Sequence, residues 1–171
     1  MNVKVKESKF DLLTEKPERH NMEKFNSVDD ILDFAIAREI EADKFYTELA
    51  GRMEDPAMRK VFKEFAKEER GHKIKLKAVK AGEVKIEQEQ VSSLDIAGYV
   101  VDAEAKPDMN YADALVLAMK KEKASYRLYL DLAAIAEAEE LTDMFLALAQ
   151  EEAKHKLRFE IEYDDVVLKE D

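Results

Sequence analysis

Two short motifs of the form Glu-x-x-His lie 83 residues apart in the chain, Glu69 to His72 and Glu152 to His155. On a helix, side chains three residues apart project from the same face, so this Glu and His can bind one metal ion together. A single copy of the motif is a weak signal. Two copies at a fixed offset predict a duplicated metal-binding element.

Two further glutamates keep the same offset: Glu39 and Glu122 each lie 30 residues before the Glu of a motif. Each interrupts an apolar stripe with helical spacing, so each is predicted to face the core. Four carboxylates left empty in a dry core would be costly to desolvate and would repel one another. Two divalent cations would balance their four negative charges. The six residues are therefore predicted to form one dinuclear metal site.

Four neighbours of this site also repeat at the offset. Tyr46 and Tyr129 lie two turns after the paired glutamates on the same stripes. Each is either a core phenol that only satisfies its own hydroxyl or a residue that orients a ligand carboxylate, and the sequence favours neither. Glu68 and Glu151 are rotated by about 100° from the motif glutamates. They are predicted to be solvated or to lie behind the ligands.

These side chains need helices to bring them together, and the apolar periodicity predicts four. Ser27 followed by Asp30, and Asp55 followed by Pro56, have the form of helix starts, while Gly82 has the form of a stop. Between positions 35 and 79, a shift of 83 matches twelve residues identically. The predicted fold is all-α, a four-helix bundle of two duplicated antiparallel hairpins, with helices over about 28–53, 56–80, 111–136 and 139–163.

Short turns join the helices of each hairpin, so depth in the bundle is counted from the turn. Glu39 and Glu69 are each about 15 residues from position 54 and should face each other at one level, about 22 Å from the turn. The long crossover is predicted to run back along the bundle, so that the second hairpin enters from the same end as the first. The predicted organisation is an N-terminal arm over 1–26, a four-helix domain over 27–165 with hairpins 28–82 and 111–163 around a crossover over 83–110, and a tail over 166–171.

Composition bounds the function. The 171 residues suit one domain, and the balance of 39 acidic to 28 basic residues, net charge -11, argues against nucleic acid or an anionic membrane as partners. No apolar run is long enough to span a bilayer and no signal peptide is evident, which predicts a soluble cytoplasmic protein. Zero cysteines exclude disulfides and thiolate-bound metals. Any metal would be held by oxygen and nitrogen, which suits iron or manganese and leaves zinc open.

The six-residue set resembles that of ferritin-like di-iron carboxylate proteins, and the chain looks most like the erythrin domain of rubrerythrin over about 28–163. The resemblance implies two iron ions in a ferritin-like bundle, with Glu69 and Glu152 bridging them. It also implies that Glu39 and Glu122 are terminal ligands and that His72 and His155 each bind one ion. The chain departs from the family in two respects. Ser125 stands where rubrerythrins carry an additional Glu, and the cysteine-rich rubredoxin domain has no counterpart.

The resemblance favours a non-haem di-iron oxidoreductase that reduces hydrogen peroxide or dioxygen with electrons from an external donor such as a rubredoxin. Alternatives from other functional classes are a ferroxidase that handles or stores iron and a di-manganese catalase. A homodimer or higher homo-oligomer is expected from the same resemblance.

Overall fold

The computed structural model describes residues 27–82, 109–136 and 138–167. The predicted arm, most of the predicted crossover and the end of the tail lie outside these ranges. The described residues form four helices and no strand, which confirms the all-α prediction. They are α1 (Val28–Arg52), α2 (Pro56–Lys80), α3 (Tyr111–Ile135) and α4 (Glu139–Val167). None of these helices is both long enough and apolar enough to cross a membrane.

Side-chain caps fix three of the helix starts. The Ser27 hydroxyl accepts a hydrogen bond from the Asp30 amide at 3.1 Å, and Asn110 caps α3 through the Asp113 amide at 2.8 Å. Asp55 accepts from two amides of α2, at 2.7 and 3.1 Å, with Pro56 as the first helical residue. Such caps satisfy amides that a helix start leaves without an intrahelical partner. The predicted starts of α1 and α2 are therefore confirmed.

The predicted end of α2 agrees with the structure, and the predicted end of α4 does not. Gly82 adopts a φ of 78° just after α2, a left-handed conformation that glycine takes at little cost, as its predicted role as a stop requires. α4 instead continues to Val167, past the predicted end at 163. No Gly or Pro interrupts it there, and Tyr163 and Val166 pack against the core, so burial extends the helix.

Two apolar clusters fill the ends of the bundle. The Phe145 cluster joins the start of α1, the end of α2, the end of α3 and the start of α4. The Phe62 cluster joins the four opposite ends. The Phe145 cluster contains the buried Tyr129, and the Phe62 cluster contains the buried Tyr46 and Tyr111. The six predicted metal-site residues belong to neither cluster, and they occupy the polar layer between them.

The second hairpin does not begin at the predicted end of the bundle. The prediction placed the start of α3 at the same end as the start of α1. The rings of Phe62, near the start of α2, and Tyr111, at the start of α3, have centroids 5.7 Å apart, so α3 begins where α1 ends. α1 and α3 are therefore antiparallel, and the pseudo-twofold axis runs across the helices. The prediction failed because counting from the turns fixes depth but not direction. Glu39 and Glu122 lie near the middle of their helices and reach the same layer in either orientation.

Candidate metal centre

The six predicted ligands converge in the middle of the bundle. α1 supplies Glu39, α3 supplies Glu122, and α2 and α4 each supply a Glu and a His. All six are nearly inaccessible to solvent, with at most 4% of each residue exposed. Buried charges are costly unless they are paired or bind metal, so this layer needs compensating charge.

The six residues divide into two overlapping groups of four, each with ligand atoms within 4.8 Å of one another. Glu39 and His72 belong to the first group, and Glu122 and His155 belong to the second. Glu69 and Glu152 belong to both. This is the arrangement that two ions sharing two carboxylates would require.

The oxygen atoms of the shared carboxylates are divided between the two groups. Glu69 places Oε2 3.5 Å from Nδ1 of His72 and Oε1 3.2 Å from Nδ1 of His155. Glu152 does the converse, with Oε1 3.0 Å from His72 Nδ1 and Oε2 3.5 Å from His155 Nδ1. Each shared carboxylate therefore presents one oxygen to each group.

The facing atoms are close but do not form hydrogen bonds. Each of the six residues has one buried atom without a hydrogen-bond partner, including Nδ1 of both histidines and Oε2 of Glu39 and Glu122. A buried polar atom left in this state costs about 1–3 kcal/mol. Adjacent ligands of an ion bound at about 2.1 Å lie about 3 Å apart, close to the separations found here. The residues therefore fit a pair of divalent cations.

Carboxylates behind the histidines orient both rings. Nε2 of His72 lies 2.7 Å from Glu151, and Nε2 of His155 lies 2.7 Å from Glu68. Each bond joins α2 to α4 across the hairpins and turns Nδ1 towards the centre. The two imidazole rings are nearly parallel, with an interplanar angle of 10°. Of the two predicted alternatives for Glu68 and Glu151, the structure favours the second, because both lie behind the histidines that are candidate ligands.

Two basic side chains hold these carboxylates in place. Lys75 Nζ donates to both oxygens of Glu151 at 3.0 Å, and Arg158 Nη1 donates to both oxygens of Glu68 at 2.9 Å. Sequence reasoning missed these two residues. Their signal was present, because Lys75 and Arg158 also stand 83 residues apart and both are basic.

The tyrosines contact the carboxylates of the opposite hairpin. The Tyr46 hydroxyl donates to Oε1 of Glu122, and the Tyr129 hydroxyl donates to Oε1 of Glu39. Both tyrosines are fully buried. Each bond occupies one carboxylate oxygen and leaves the other facing a histidine. The structure thus favours the orienting role over the core-phenol alternative.

Burial and charge set the protonation of this layer. Burial raises the pKa of Glu39 and Glu122 well above the usual carboxyl range. Burial alone would lower the histidine pKa values, but the facing carboxylates outweigh it. The pKa of His72 therefore lies well above its ordinary value, and that of His155 rises to about 12. Without cations, protons on the histidines compensate part of the negative charge.

A groove between α2 and α4 opens the histidine side of the layer to solvent. It has a volume of about 410 Å³ and is lined in part by both histidines and by Gly71. Apart from Gly71 itself, its two chain neighbours and the adjacent backbone of α2, no described atom lies within 4 Å of the position that a β-carbon on Gly71 would take. Among the described residues, this groove connects solvent to both groups of candidate ligands.

Comparison with known structures identifies the same architecture. A ferritin-like diiron-carboxylate protein of Thermotoga maritima matches with a TM-score of 0.71 and 24% identity, covering 85% of this chain and 99% of that one. A hypothetical protein of Pyrococcus furiosus matches with a TM-score of 0.61 and 25% identity, covering 80% and 87%. An uncharacterised conserved protein of Magnetospirillum magnetotacticum matches with a TM-score of 0.61 and 22% identity, covering 81% and 94%.

Sequence comparison gives the family. No curated protein matches the chain significantly. The family model for rubrerythrin matches residues 30–163, which include both hairpins and all six candidate ligands. The chain therefore belongs to the rubrerythrin family.

Proposed function

We propose that the protein is a non-haem di-iron oxidoreductase that reduces hydrogen peroxide or dioxygen. The observation that carries the proposal is the pair of shared carboxylates, Glu69 and Glu152, each with one oxygen facing each histidine. This arrangement suits two ions held close together. When bound there, two iron ions would together supply the two electrons that reduction of peroxide requires.

The chain's own residues would position the ions and manage protons. Glu39 and Glu122 each offer one free oxygen, because a tyrosine occupies the other. His72 and His155 offer Nδ1, because Glu151 and Glu68 hold Nε2. Reduction of peroxide to water consumes two protons. The Tyr46 and Tyr129 hydroxyls contact the candidate ligands Glu122 and Glu39, and the histidine Nε2 groups contact Glu151 and Glu68, so all four are proton carriers in contact with this layer.

The test begins with metal analysis of protein purified from its natural source. The metal-free protein is then loaded anaerobically with ferrous iron and mixed with peroxide or with oxygen in a stopped-flow spectrometer. We expect two irons per chain and a rapid absorbance change with at least one of the two oxidants. Binding of fewer than two irons, or no change with either oxidant, would refute the proposal.

A ferroxidase is the second candidate, and the groove between α2 and α4 favours it. Glu68 and Glu151 lie there beside the histidines with more than a third of each side chain exposed, so they could pass Fe(II) inward. A ferroxidase would turn over many Fe(II) ions per site and build a mineral in a larger assembly. Light scattering during repeated iron additions separates the candidates, because a peroxidase would stay small and stop at two irons. Manganese as the native metal would instead support a catalase.

A further inference from the structure

A second groove lies on the outer side of the first hairpin, between α1 and α2, and we call it the basic groove. Its volume is about 730 Å³. Small residues of both helices form part of its lining, and among the described residues none that lines it is acidic, although the chain has a net charge of -11. The lining consists of Thr47, Ala50, Gly51 and Ala66 with four cations, Arg59, Lys63, Lys67 and Arg70.

Most of the positive charge in the basic groove is not neutralised by carboxylates. Arg59 donates to the backbone carbonyls of Met53 and Glu54, which leaves its charge uncompensated. No carboxylate among the described residues lies within ion-pair distance of Lys63 or Lys67. Within the described part of the chain, Arg70 is the one cation of the lining in an ion pair, with Asp43, which is not itself among the lining residues. The groove is therefore a local positive surface on an acidic protein.

The second hairpin provides an internal comparison, because duplication gives each groove residue an equivalent 83 positions later. The layer of six candidate ligands, which we call the metal layer, has the same charged residue types in both halves. The carboxylates and basic side chains behind the histidines are repeated as well. The four cations of the basic groove have uncharged equivalents, which are Thr142, Leu146, Gln150 and Ala153. The basic groove thus belongs to one face of the molecule and is not needed to build a metal layer, which the second hairpin builds without it.

One end of the basic groove lies at the level of the metal layer, because Arg70 lines the groove and directly follows the shared carboxylate Glu69 in α2. From Arg70 the groove extends along α2 to Arg59, eleven residues earlier and about 16 Å away along the helix axis. A helix with its side chains is about 10–12 Å across. A redox group seated at the Arg70 end would therefore be close to the candidate metal pair without entering the bundle.

We propose that the basic groove is the docking surface for an acidic one-electron carrier protein that reduces the metal pair. The inference rests on the proposed function, because reduction of peroxide to two waters takes up two electrons and two protons. Two reduced carriers would each be oxidised by one electron, and the protons would come from solvent.

The charges at the contact surface decide how fast two acidic proteins associate. At 0.1 M salt the screening length is about 10 Å, so distant acidic residues contribute little and charges at the contact dominate. Charges at the edge of an interface act mainly on association rates and change them by 10-fold or more. Reversing Lys63 and Lys67 should therefore slow docking strongly without disturbing the metal layer.

The test uses the full metal-loaded chain with a reduced acidic rubredoxin as the probe, whose visible absorbance reports its own oxidation. We expect K63E/K67E to lower the second-order rate constant for oxidation of rubredoxin by the loaded protein at least about 10-fold at 0.1 M salt. We also expect weaker binding of oxidised rubredoxin. The matched control is K120E/K123E, which makes the same charge change at exposed positions of α3 and should change both quantities less than about twofold.

Two outcomes would overturn the docking proposal: equal slowing in both double variants, or unchanged binding of rubredoxin to K63E/K67E. Peroxide turnover with a small-molecule reductant is measured in parallel and should be the same in all three proteins. Its loss in every protein would instead refute the proposed function. The binding measurement does not depend on turnover and still tests the groove in that case.

Discussion

Glu69 and Glu152 differ from the other buried glutamates in having both oxygens directed at histidines. Glu39 and Glu122 each give one oxygen to a tyrosine of the opposite hairpin. The same residue type therefore takes two roles, which the partner of each oxygen decides. Ser125 adds no carboxylate to the layer. The candidate site therefore has four glutamates and two histidines, where rubrerythrins are expected to have a further glutamate.

The carboxylates behind the histidines should tune metal affinity one position at a time. Glu151→Ala removes the partner of His72 Nε2, so the ring loses its fixed orientation and the first metal position should weaken by about 10- to 100-fold. Glu68→Ala should do the same at the second position through His155. Competition with a chromogenic chelator measures both affinities. Because both residues are partly exposed, the fold should persist, which circular dichroism checks.

Exposed Glu140→Ala provides the control for loss of a single negative charge from α4. Its two metal affinities should match those of the unmodified chain. If Glu151→Ala and Glu68→Ala behaved like this control, the orienting role of the two carboxylates would be wrong. If only one of the two had an effect, the halves of the site would differ in function despite their similar contacts.

At the scale of the helices, α2 begins directly after a turn of three residues, 53–55. Asp55→Ala removes the acceptor of two hydrogen bonds from the Ala57 and Met58 amides. We expect a loss of about 1 kcal/mol in the free energy of unfolding. Urea denaturation measures this. The control Glu48→Ala, at an exposed position within α1, should change the value by less than about 0.5 kcal/mol, and an equal effect of both would show that the cap contributes nothing.

Local rules predicted the elements well because the information they need is local. Ser27, Asp55 and Gly82 each act within a few residues of their own position, through a cap or a left-handed turn. The end of α4 was not local, since it depends on Tyr163 and Val166 packing against the Phe62 cluster. The direction of the second hairpin was not local either, because sites near mid-helix look the same from both ends.

The candidate site was predictable because duplication repeated its residue types at one offset. The same repeat contained Glu68 and Glu151, but helical phase alone placed them off the buried face. Their contact with the histidines arises because α2 and α4 lie side by side, so that a side chain at the flank of one helix reaches the buried face of the other. Such contacts depend on the arrangement of the hairpins, which periodicity within one helix does not describe.

At the scale of the whole molecule, the buried charged side chains lie in one middle layer, between the two apolar clusters. The candidate metal ions would therefore link all four helices at once. The basic groove is the opposite kind of feature, a charged surface on one hairpin only. The homodimer or higher homo-oligomer expected from the family resemblance stays a prediction, and sedimentation of the loaded chain would test it.

Metal removal should destabilise the bundle, and the effect should grow with pH. Metal binds only deprotonated ligands, whereas the metal-free fold holds protons on the histidines, with the pKa of His155 raised to about 12. A raised folded-state pKa contributes stability that is complete below the unfolded value of about 6.5 and is lost as pH rises towards 12. The metal-free protein therefore loses stability above pH 6.5, by up to about 1.4 kcal/mol per pH unit for each histidine.

The loaded protein lacks those protons and should not show this loss. The difference in unfolding free energy between loaded and metal-free protein is therefore expected to widen from pH 6.5 to 8.5, and calorimetry in buffers of different ionisation enthalpy should detect protons released on loading. His155→Gln removes one titrating group and should reduce the proton release. A difference that stayed constant with pH, with no proton release, would show that the metal-free layer balances its carboxylates without protonated histidines.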